Sequence, residues 1–373
     1  MKIGILVPHV FAQQSLLNDV IFAPVHLAIS LADKLSETDD VFLFTPGHID
    51  TKATNINVKL DLLNEELAKE DCTLQQLITT NPLSFISLSK QIQAELTAKA
   101  FEYANSGKMD ILHIYMCEDE IPLYFSNLVN IPVVFTHHDP FNFYRKYRVT
   151  FPKLKNLNYI SISKSQKKTA PEGLKFVANV YNGIDINNYD YVDKPNDYFA
   201  FLGRVIRVKG ADIAIQACVK ANVKLKIAGK HYSDSSDSES EYWSKYVQPH
   251  IDGVSVDYVG YLKPVIETNS FLGNAKALLF PSQWDEPFGL VMIEALACGT
   301  PVIAFDCGAV REIIQDGING FIVKNEKEMI KAINKIEEID RKKCRESVKQ
   351  SFTTEKMVEG YKNAYLIIST NCN

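Results

Sequence analysis

The most constraining stretch of this chain runs from Ala277 to Phe305. It reads Ala-Leu-Leu-Phe, then Pro-Ser-Gln-Trp-Asp-Glu-Pro-Phe-Gly, then Leu-Val-Met-Ile-Glu-Ala-Leu-Ala-Cys-Gly-Thr-Pro, then Val-Ile-Ala-Phe. Two short apolar runs flank a longer one, and the breakers fall between them. The pattern predicts a buried strand over Ala277 to Phe280, a polar loop over Ser282 to Glu286, a helix from about Gly289 to Ala297 stopped by Gly299, and a second buried strand over Val302 to Phe305. Strand, short loop, helix and strand close as one parallel βαβ unit, so the chain is committed to an α/β fold.

Two acids in that unit carry chemistry. Glu294 lies among Leu290, Val291, Met292, Ile293, Ala295, Leu296 and Ala297, where a carboxylate needs a hydrogen-bonding partner. Helical side chains lean toward the N-terminus, so Glu294 is expected to aim back at the mouth of the loop that carries Glu286. The unpaired N–H groups of Phe288, Gly289 and Leu290 at the helix start form a site for phosphate. Two carboxylates for hydroxyl groups beside an anion site describe a pocket for a sugar nucleotide. The other reading makes Glu286 a solvated first-turn acid and Glu294 a core acid paired with an arginine.

The run Glu286-Pro-Phe-Gly-Leu-Val-Met-Ile-Glu-Ala-Leu-Ala-Cys-Gly-Thr-Pro-Val-Ile-Ala304 resembles the Glu-x7-Glu signature of family 4 retaining glycosyltransferases over about twenty positions. The resemblance implies the GT-B fold: two Rossmann-like, doubly wound parallel-sheet domains facing a central cleft. It implies a hexosyltransferase of carbohydrate biosynthesis that uses a nucleotide-sugar donor.

With 373 residues the chain is long enough for two cores, and its apolar runs are of strand length, none approaching a membrane span. Met1 to Val7 carries one charge and reads as a first strand rather than a leader. A net charge of −5 gives no general attraction to nucleic acid. Seven scattered cysteines without a Cys-x-x-Cys pair favour reduced thiols in a cytoplasmic protein. Cys298 reads as a small core residue.

In the first half, strands are expected over Ile3 to Val7, Val41 to Phe44, Ile111 to Tyr115, Pro132 to Phe135 and Tyr159 to Ser163. Helices are expected over Pro24 to Leu35, with Leu27, Ala28, Leu31 and Leu35 on one face, and over Leu88 to Tyr103. In such a sheet ligands sit at the carboxyl ends of the strands. The polar residues there are His9, Glu118-Asp-Glu120 and Thr136-His137-His138-Asp139-Pro140. Adjacent residues of an extended chain point to opposite faces, which weakens a metal half-site at the histidine pair. Thr136-x-His138-Asp139 resembles the place where family members carry a histidine near donor and acceptor. That assigns His138 to the reaction centre, with His137 as the alternative. Where many members have a glycine-rich loop, this chain has Phe22-Ala-Pro-Val-His26, which disfavours close backbone approach to the donor phosphate. Aromatic and basic residues mix from Phe141 to Lys155, the candidate for peripheral contact with a membrane's inner face or an anionic acceptor. A solvated helix face over core aromatics is the commoner pattern.

In the second half, the polar stretch Asn182 to Asp197 reads as the domain linker, and Asn182-Gly-Ile-Asp185 resembles the family's interdomain segment. Five strands are then expected, each ending in glycine or a polar loop: Tyr198 to Leu202 before Gly203-Arg204, Leu225 to Ala228 before Gly229-Lys230, Val256 to Val259 before Gly260, and the two of the opening unit, the second before Asp306-Cys-Gly308. This edge is the expected donor site. By resemblance Arg204 and Lys209 lie on the donor diphosphate, where they would neutralise the leaving group; Arg207 is left as a surface cation. The other main glycosyltransferase fold binds its diphosphate through a cation at Asp-x-Asp, and that tripeptide is absent here. The expectation is therefore activity without a divalent metal or other cofactor. No Gly-x-Gly-x-x-Gly follows a strand, so a nicotinamide dehydrogenase has no support. Asp234 to Glu241 lacks the glycine and final acid of a calcium loop and reads as a loop beside the nucleobase. Phe352 to Tyr361 resembles the family's closing helix.

The expected division is 1–184 as the acceptor-side domain, completed by a helix over 354–373, and 185–353 as the donor domain. The family implies that Glu294 holds ribose hydroxyls, Glu286 sugar hydroxyls, and Phe288, Gly289 and Leu290 sugar and phosphate, with Gly203, Gly229, Lys230 and Gly260 lining the donor. A UDP-sugar is favoured, then GDP-mannose, and the acceptor is open. The alternatives are a GT-B nucleotide-sugar epimerase or phosphorylase, and a non-catalytic nucleotide-sugar-binding protein.

Overall fold

The computed structural model of the chain describes residues 1–17, 22–116, 120–231, 238–263 and 265–370. These residues form two units: Met1–Ile162 with Thr169–Val180 and Met357 onward, and Ser163–Lys168 with Tyr181–Lys356. The crossings at Val180 and Met357 fall a few residues from the expected 184/185 and 353/354, and Ser163–Lys168 was not expected in the second unit.

In the first unit, β1 (Lys2–Leu6), β2 (Asp40–Phe44), β3 (Thr54–Ile56), β4 (Ile111–Met116), β5 (Val133–His137), β6 (Asn158–Ser161) and β7 (Phe176–Asn179) form one sheet. Its order is β3-β2-β1-β4-β5-β6-β7 and every pairing is parallel. Ile3 sits between Val41 and Ile111, so the order reverses direction between β1 and β4. In such a sheet the carboxyl ends at the reversal are where ligands sit; His9 follows β1, and His138 follows β5, the strand next to β4. All six residues of β4 are buried, as expected of a central parallel strand covered on both faces. The Ala23–Leu35 helix buries Leu27, Ala28, Leu31 and Leu35, the stripe read from spacing. Proline in its first turn suits a position whose N–H has no helical partner. The second expected helix is longer than its apolar pattern, Pro82–Asn105, because Asn81 caps it upstream by accepting from the Ser84 N–H at 3.3 Å.

The closing helix, Thr354–Thr370, brings Tyr361 and Tyr365 into the first unit. There His113 of β4 is completely buried, with Nδ1 2.7 Å from the Tyr365 hydroxyl and Nε2 2.8 Å from Thr136 Oγ1. Both ring nitrogens are satisfied, and burial holds the imidazole neutral with its pKa near 3.

In the second unit, β8 (Phe199–Leu202), β9 (Leu225–Ala228), β10 (Val256–Gly260), β11 (Leu278–Phe280), β12 (Val302–Phe305) and β13 (Gly320–Val323) form a parallel sheet. The order is β10-β9-β8-β11-β12-β13, reversing between β8 and β11. Both units are thus doubly wound, and the fold is the expected GT-B pair of Rossmann-like domains. β13 is a sixth strand where five were expected. The helix of the opening unit spans Leu290–Ala297, with Gly299 in the left-handed region after it (φ 84°).

The stretch expected to be a linker is stitched down rather than free. Ile184 donates to the Phe352 carbonyl and accepts from the Thr354 N–H, both at 3.0 Å. Arg341 bonds the carbonyls of Val192, Gly273 and Ala275 at 2.7–3.0 Å, joining this stretch to the core of the second unit. In the basic-aromatic segment, Phe141, Tyr147 and Phe151 are buried, Arg145 and Arg148 are exposed, and Lys146 pairs with Glu120 at 2.7 Å. Among the described residues no helix is long and apolar enough to cross a membrane. Glu118, Asp119 and the first half of the Asp234 to Glu241 run lie outside the described residues.

Candidate active site

The carboxyl edge of the second sheet gathers the expected donor residues. Gly203 follows β8, Gly229 and Lys230 follow β9, and Gly260 ends β10. Backbone bonds tie these loops together: the Gly229 N–H donates to the Gly260 carbonyl at 2.9 Å and the Val205 N–H to the Lys230 carbonyl at 2.8 Å. A Cβ on Gly229 would lie 1.8 Å from the Gly203 carbonyl oxygen, so only glycine permits this approach. The Lys230 ammonium lies 4.7 Å from the centre of the Tyr261 ring. Arg204 is exposed and forms no ion pair among the described residues. Arg207, read as a surface cation, is exposed and lies 4.8 Å from the Tyr246 ring.

Glu286 is held from both ends. Its carbonyl accepts from the Ala309 N–H at 3.0 Å, and Gly308, with φ 52°, approaches so closely that a Cβ would lie 2.3 Å from the Glu286 carbonyl oxygen. Its carboxylate accepts from Trp284 Nε1 at 2.7 Å and forms an ion pair with Lys209. Lys209 reaches it from the turn Arg207–Lys209, which docks on the same loop through a bond of 2.8 Å from the Gln283 N–H to the Val208 carbonyl. The two side chains are about one-seventh exposed, so each offsets the other's desolvation. The solvated first-turn acid of the second reading is therefore not what the structure contains. Lys209, expected on a diphosphate, is placed on Glu286.

After Pro287, whose carbonyl accepts from Ser163 Oγ at 2.6 Å, the chain turns through Gly289 (φ 94°) into the Leu290–Ala297 helix. No side chain caps this start, and the N–H groups of Phe288, Gly289 and Leu290 have no acceptor among the described residues. They remain available to an anion. Glu294, one turn in, is surrounded by buried Met292, Ile293, Ala295, Leu296 and Ala297. Its partner is not an arginine: the Tyr189 hydroxyl donates to Oε1 at 3.3 Å. Burial pushes the Glu294 carboxyl up to about 7, against a smaller pull downward from that hydrogen bond.

His138 lies in the first unit, just past β5, with its N–H on the Met116 carbonyl at 3.0 Å. Its ring stacks on Tyr115 with centroids 5.0 Å apart. Nε2 is buried and has no hydrogen-bond partner among the described residues. His137 turns the other way, into Phe141, Tyr147 and Phe151 at 4.9–5.4 Å. Burial brings both rings to a pKa of about 3, so both are neutral at physiological pH. In the atypical loop, where the sequence lacks a glycine-rich turn, the Phe22 ring packs at a tilt of 32° against His9 with centroids 4.3 Å apart.

Among the described residues no three of His, Cys, Asp and Glu are grouped to hold a metal ion. Sequence reasoning missed Trp284 and Tyr189. Trp284, two residues from Glu286 in the polar loop, was legible by proximity; Tyr189, inside an Asn- and Asp-rich stretch, carried no signal.

Residues 190–351 match the family model of glycosyl transferases group 1. An uncharacterized glycosyltransferase of Methanocaldococcus jannaschii, MJ1178, is 32% identical over 223 residues, 55% of this chain and 58% of the relative. The match thus spans little more than half of that protein's length. Sucrose-phosphate synthase of Thermosynechococcus elongatus superposes over all of both chains with a TM-score of 0.72 and 18% identity. HepE of Anabaena, in a structure with UDP and glucose, superposes over 98% of this chain and all of its own with a TM-score of 0.66 and 17% identity. At such identities the two structures show a shared fold. Together the comparisons support glycosyl transfer.

Proposed function

We propose, from the premise that residues 190–351 carry a group 1 glycosyl transferase domain, that the protein is a retaining, metal-independent glycosyltransferase. It moves a sugar from a nucleotide-diphosphate donor, with a UDP-sugar favoured, to a hydroxyl acceptor. The observation that carries this reading is the second sheet's edge. There an uncapped helix start, the Lys209–Glu286 pair and the half-buried Glu294 lie on one βαβ unit and the turn docked against it. UDP and glucose in the HepE structure support the choice of nucleotide.

Each group then has a task. The N–H groups of Phe288, Gly289 and Leu290 and the exposed Arg204 stabilise the departing diphosphate, whose oxygens gain charge as the glycosidic C–O bond breaks. Glu294 accepts from the ribose hydroxyls and Glu286 from the sugar. Lys209 defines the position of the Glu286 carboxylate through their ion pair, and Gly203, Gly229, Lys230 and Gly260 line the donor. His138, neutral and with a buried nitrogen that has no partner among the described residues, is the hydrogen-bonding group that the first unit offers. The acceptor oxygen attacks from the face the diphosphate leaves, and a phosphate oxygen takes its proton. Neither glutamate need form a covalent intermediate, in contrast to retaining glycosidases.

The test is nucleotide release from UDP-, GDP- and ADP-sugars with chelator present, comparing wild type with Glu294→Ala and Arg204→Ala. Release from one donor, abolished by both substitutions, is expected. Release that requires an added divalent ion would refute metal independence, and release unaffected by either substitution would refute the site.

A further inference from the structure

Glu294 is a flexible side chain in an apolar setting, yet the reading above asks its carboxylate to meet two hydroxyl groups in a defined orientation. The surroundings of its one partner explain how. Tyr189 is 4% exposed, so its ring has one place to be. Its carbonyl accepts from Arg345 Nη1 at 2.6 Å. The same Nη1 bonds the carbonyl of Ala297, the last residue of the helix that carries Glu294. Arg345 Nη2 takes the Ile186 carbonyl at 3.2 Å. On the other side, the Asp190 N–H donates to Asn269 Oδ1 at 3.0 Å, and Asn269 Nδ2 returns a bond to Asp190 Oδ2 at 2.9 Å. Asn269 Oδ1 also lies 3.3 Å from Cys298 Sγ, just past the Glu294 helix. Tyr189 is therefore bracketed by two groups, each of which also touches the C-terminal end of that helix.

We propose that Tyr189 is a positioning residue: Arg345 and Asn269 lock it against the Glu294 helix, and its hydroxyl fixes the direction of the carboxylate that receives the donor's hydroxyl groups. The proposal rests on the assignment of Glu294 to the donor. A phenylalanine would fill the same space, so packing does not require the oxygen. With Oε1 held by Tyr189, the outward lone pairs of Oε2 are presented in one orientation, since an ionised carboxylate offers about four acceptor sites.

The hydroxyl has a second effect. Around Glu294 and its neighbours Tyr189 and Cys298, Asp185 faces Tyr189 from the linker, and Asp190 from the linker with Arg341 and Arg345 from the Arg341–Ser351 helix face Cys298, while Glu294 itself meets the Tyr189 hydroxyl. Cys298 is neutral, since burial lifts its thiol to about 12. Both guanidinium groups are committed to backbone carbonyls. Tyr189 is thus the group that stabilises the carboxylate by a direct hydrogen bond, opposing the burial that favours the protonated acid.

The experiment uses the full-length chain and two readouts: carboxyl 13C shifts of labelled glutamate, with Glu294 assigned from Glu294→Gln, and calorimetric affinity for UDP from pH 6 to 9. In Tyr189→Phe the Glu294 midpoint should rise by about one pH unit or more, the effect of one charge-assisted hydrogen bond. UDP should then bind about fivefold more weakly at pH 7 and stay weaker than wild type at pH 9, where the carboxylate is ionised in both proteins but directed only in wild type; an affinity equal to wild type at pH 9 would overturn the positioning role. A midpoint and a pH dependence both equal to wild type would overturn the proposal. Glu294→Gln that binds UDP as tightly as wild type at pH 8 would instead refute the donor assignment, whatever Tyr189 does. Should Tyr189→Phe fold poorly, Arg345→Lys keeps the charge but loses the fork: it should raise the donor KM with kcat within about twofold of wild type, and an unchanged KM would overturn the bracket.

Discussion

Replacing Glu294 by Gln should make this protein more stable at neutral pH while abolishing donor use. The carboxyl titrates at about 7 in the folded chain against an ordinary value of 4.5, with burial as the main cause. Between those two values the folded state holds a proton that the unfolded state has lost. Stability must therefore fall as pH rises through that window, by 2.303RT per unit for this one group. The penalty is about 1 kcal/mol at pH 5 and about 3 kcal/mol at pH 8, where it levels off. Glutamine has the same shape, keeps an acceptor for the Tyr189 hydroxyl and does not ionise. Because every other titrating group is common to the two proteins, the difference between them isolates Glu294. The assay is urea unfolding of wild type and Glu294→Gln at half-unit steps from pH 5 to pH 8. The two should differ by about 1 kcal/mol at the acid end and about 3 kcal/mol at the alkaline end, with the variant the more stable. A difference independent of pH, or a variant less stable at pH 8, would refute the claim that a buried carboxylate is held there at a cost. A functional group that destabilises its own fold is the pattern expected of a binding site.

Gly308→Ala should destabilise the second unit by about 1–2 kcal/mol and weaken donor binding, because the new methyl group meets the Glu286 backbone and the left-handed conformation disfavours alanine; unfolding midpoints and UDP affinity of the variant check this. Since burial holds His137 and His138 near 3, the donor kcat/KM profile should show one acid limb around pH 7, set by Glu294, with no histidine limb between pH 5 and 8, and His138→Asn should lower the rate without moving that limb.

Much of the fold was legible in local pattern. Val302–Phe305 was read to the residue because a central parallel strand is a continuous apolar run, and Leu225–Ala228, apolar except for Lys226, was read to the residue between Lys224 and Gly229. The strands that escaped, Thr54–Ile56, Phe176–Asn179 and Gly320–Val323, are three or four residues long, half-buried or opened by glycine, and they pair because a neighbouring strand offers them an edge. The stretch from Asn182 to Asp197 looked like a spacer from its composition. It is held by Arg341 and Arg345, more than a hundred residues away in sequence, and no local signal announces such bonds.

The same division runs through the site. The identity of the acids and cations and the uncapped helix start follow from residue type and spacing along one βαβ unit, since side-chain direction on a short helix is set by the helix itself. Which group neutralises which does not. Glu286 takes Lys209 from 77 residues upstream, and Glu294 takes a tyrosine from 105 residues upstream rather than the arginine that charge alone would suggest. The chain by itself determined which chemistry is present, and the tertiary structure decided its partners. Burial sets a carboxylate's need, and only the folded chain determines which distant donor is close enough to meet it.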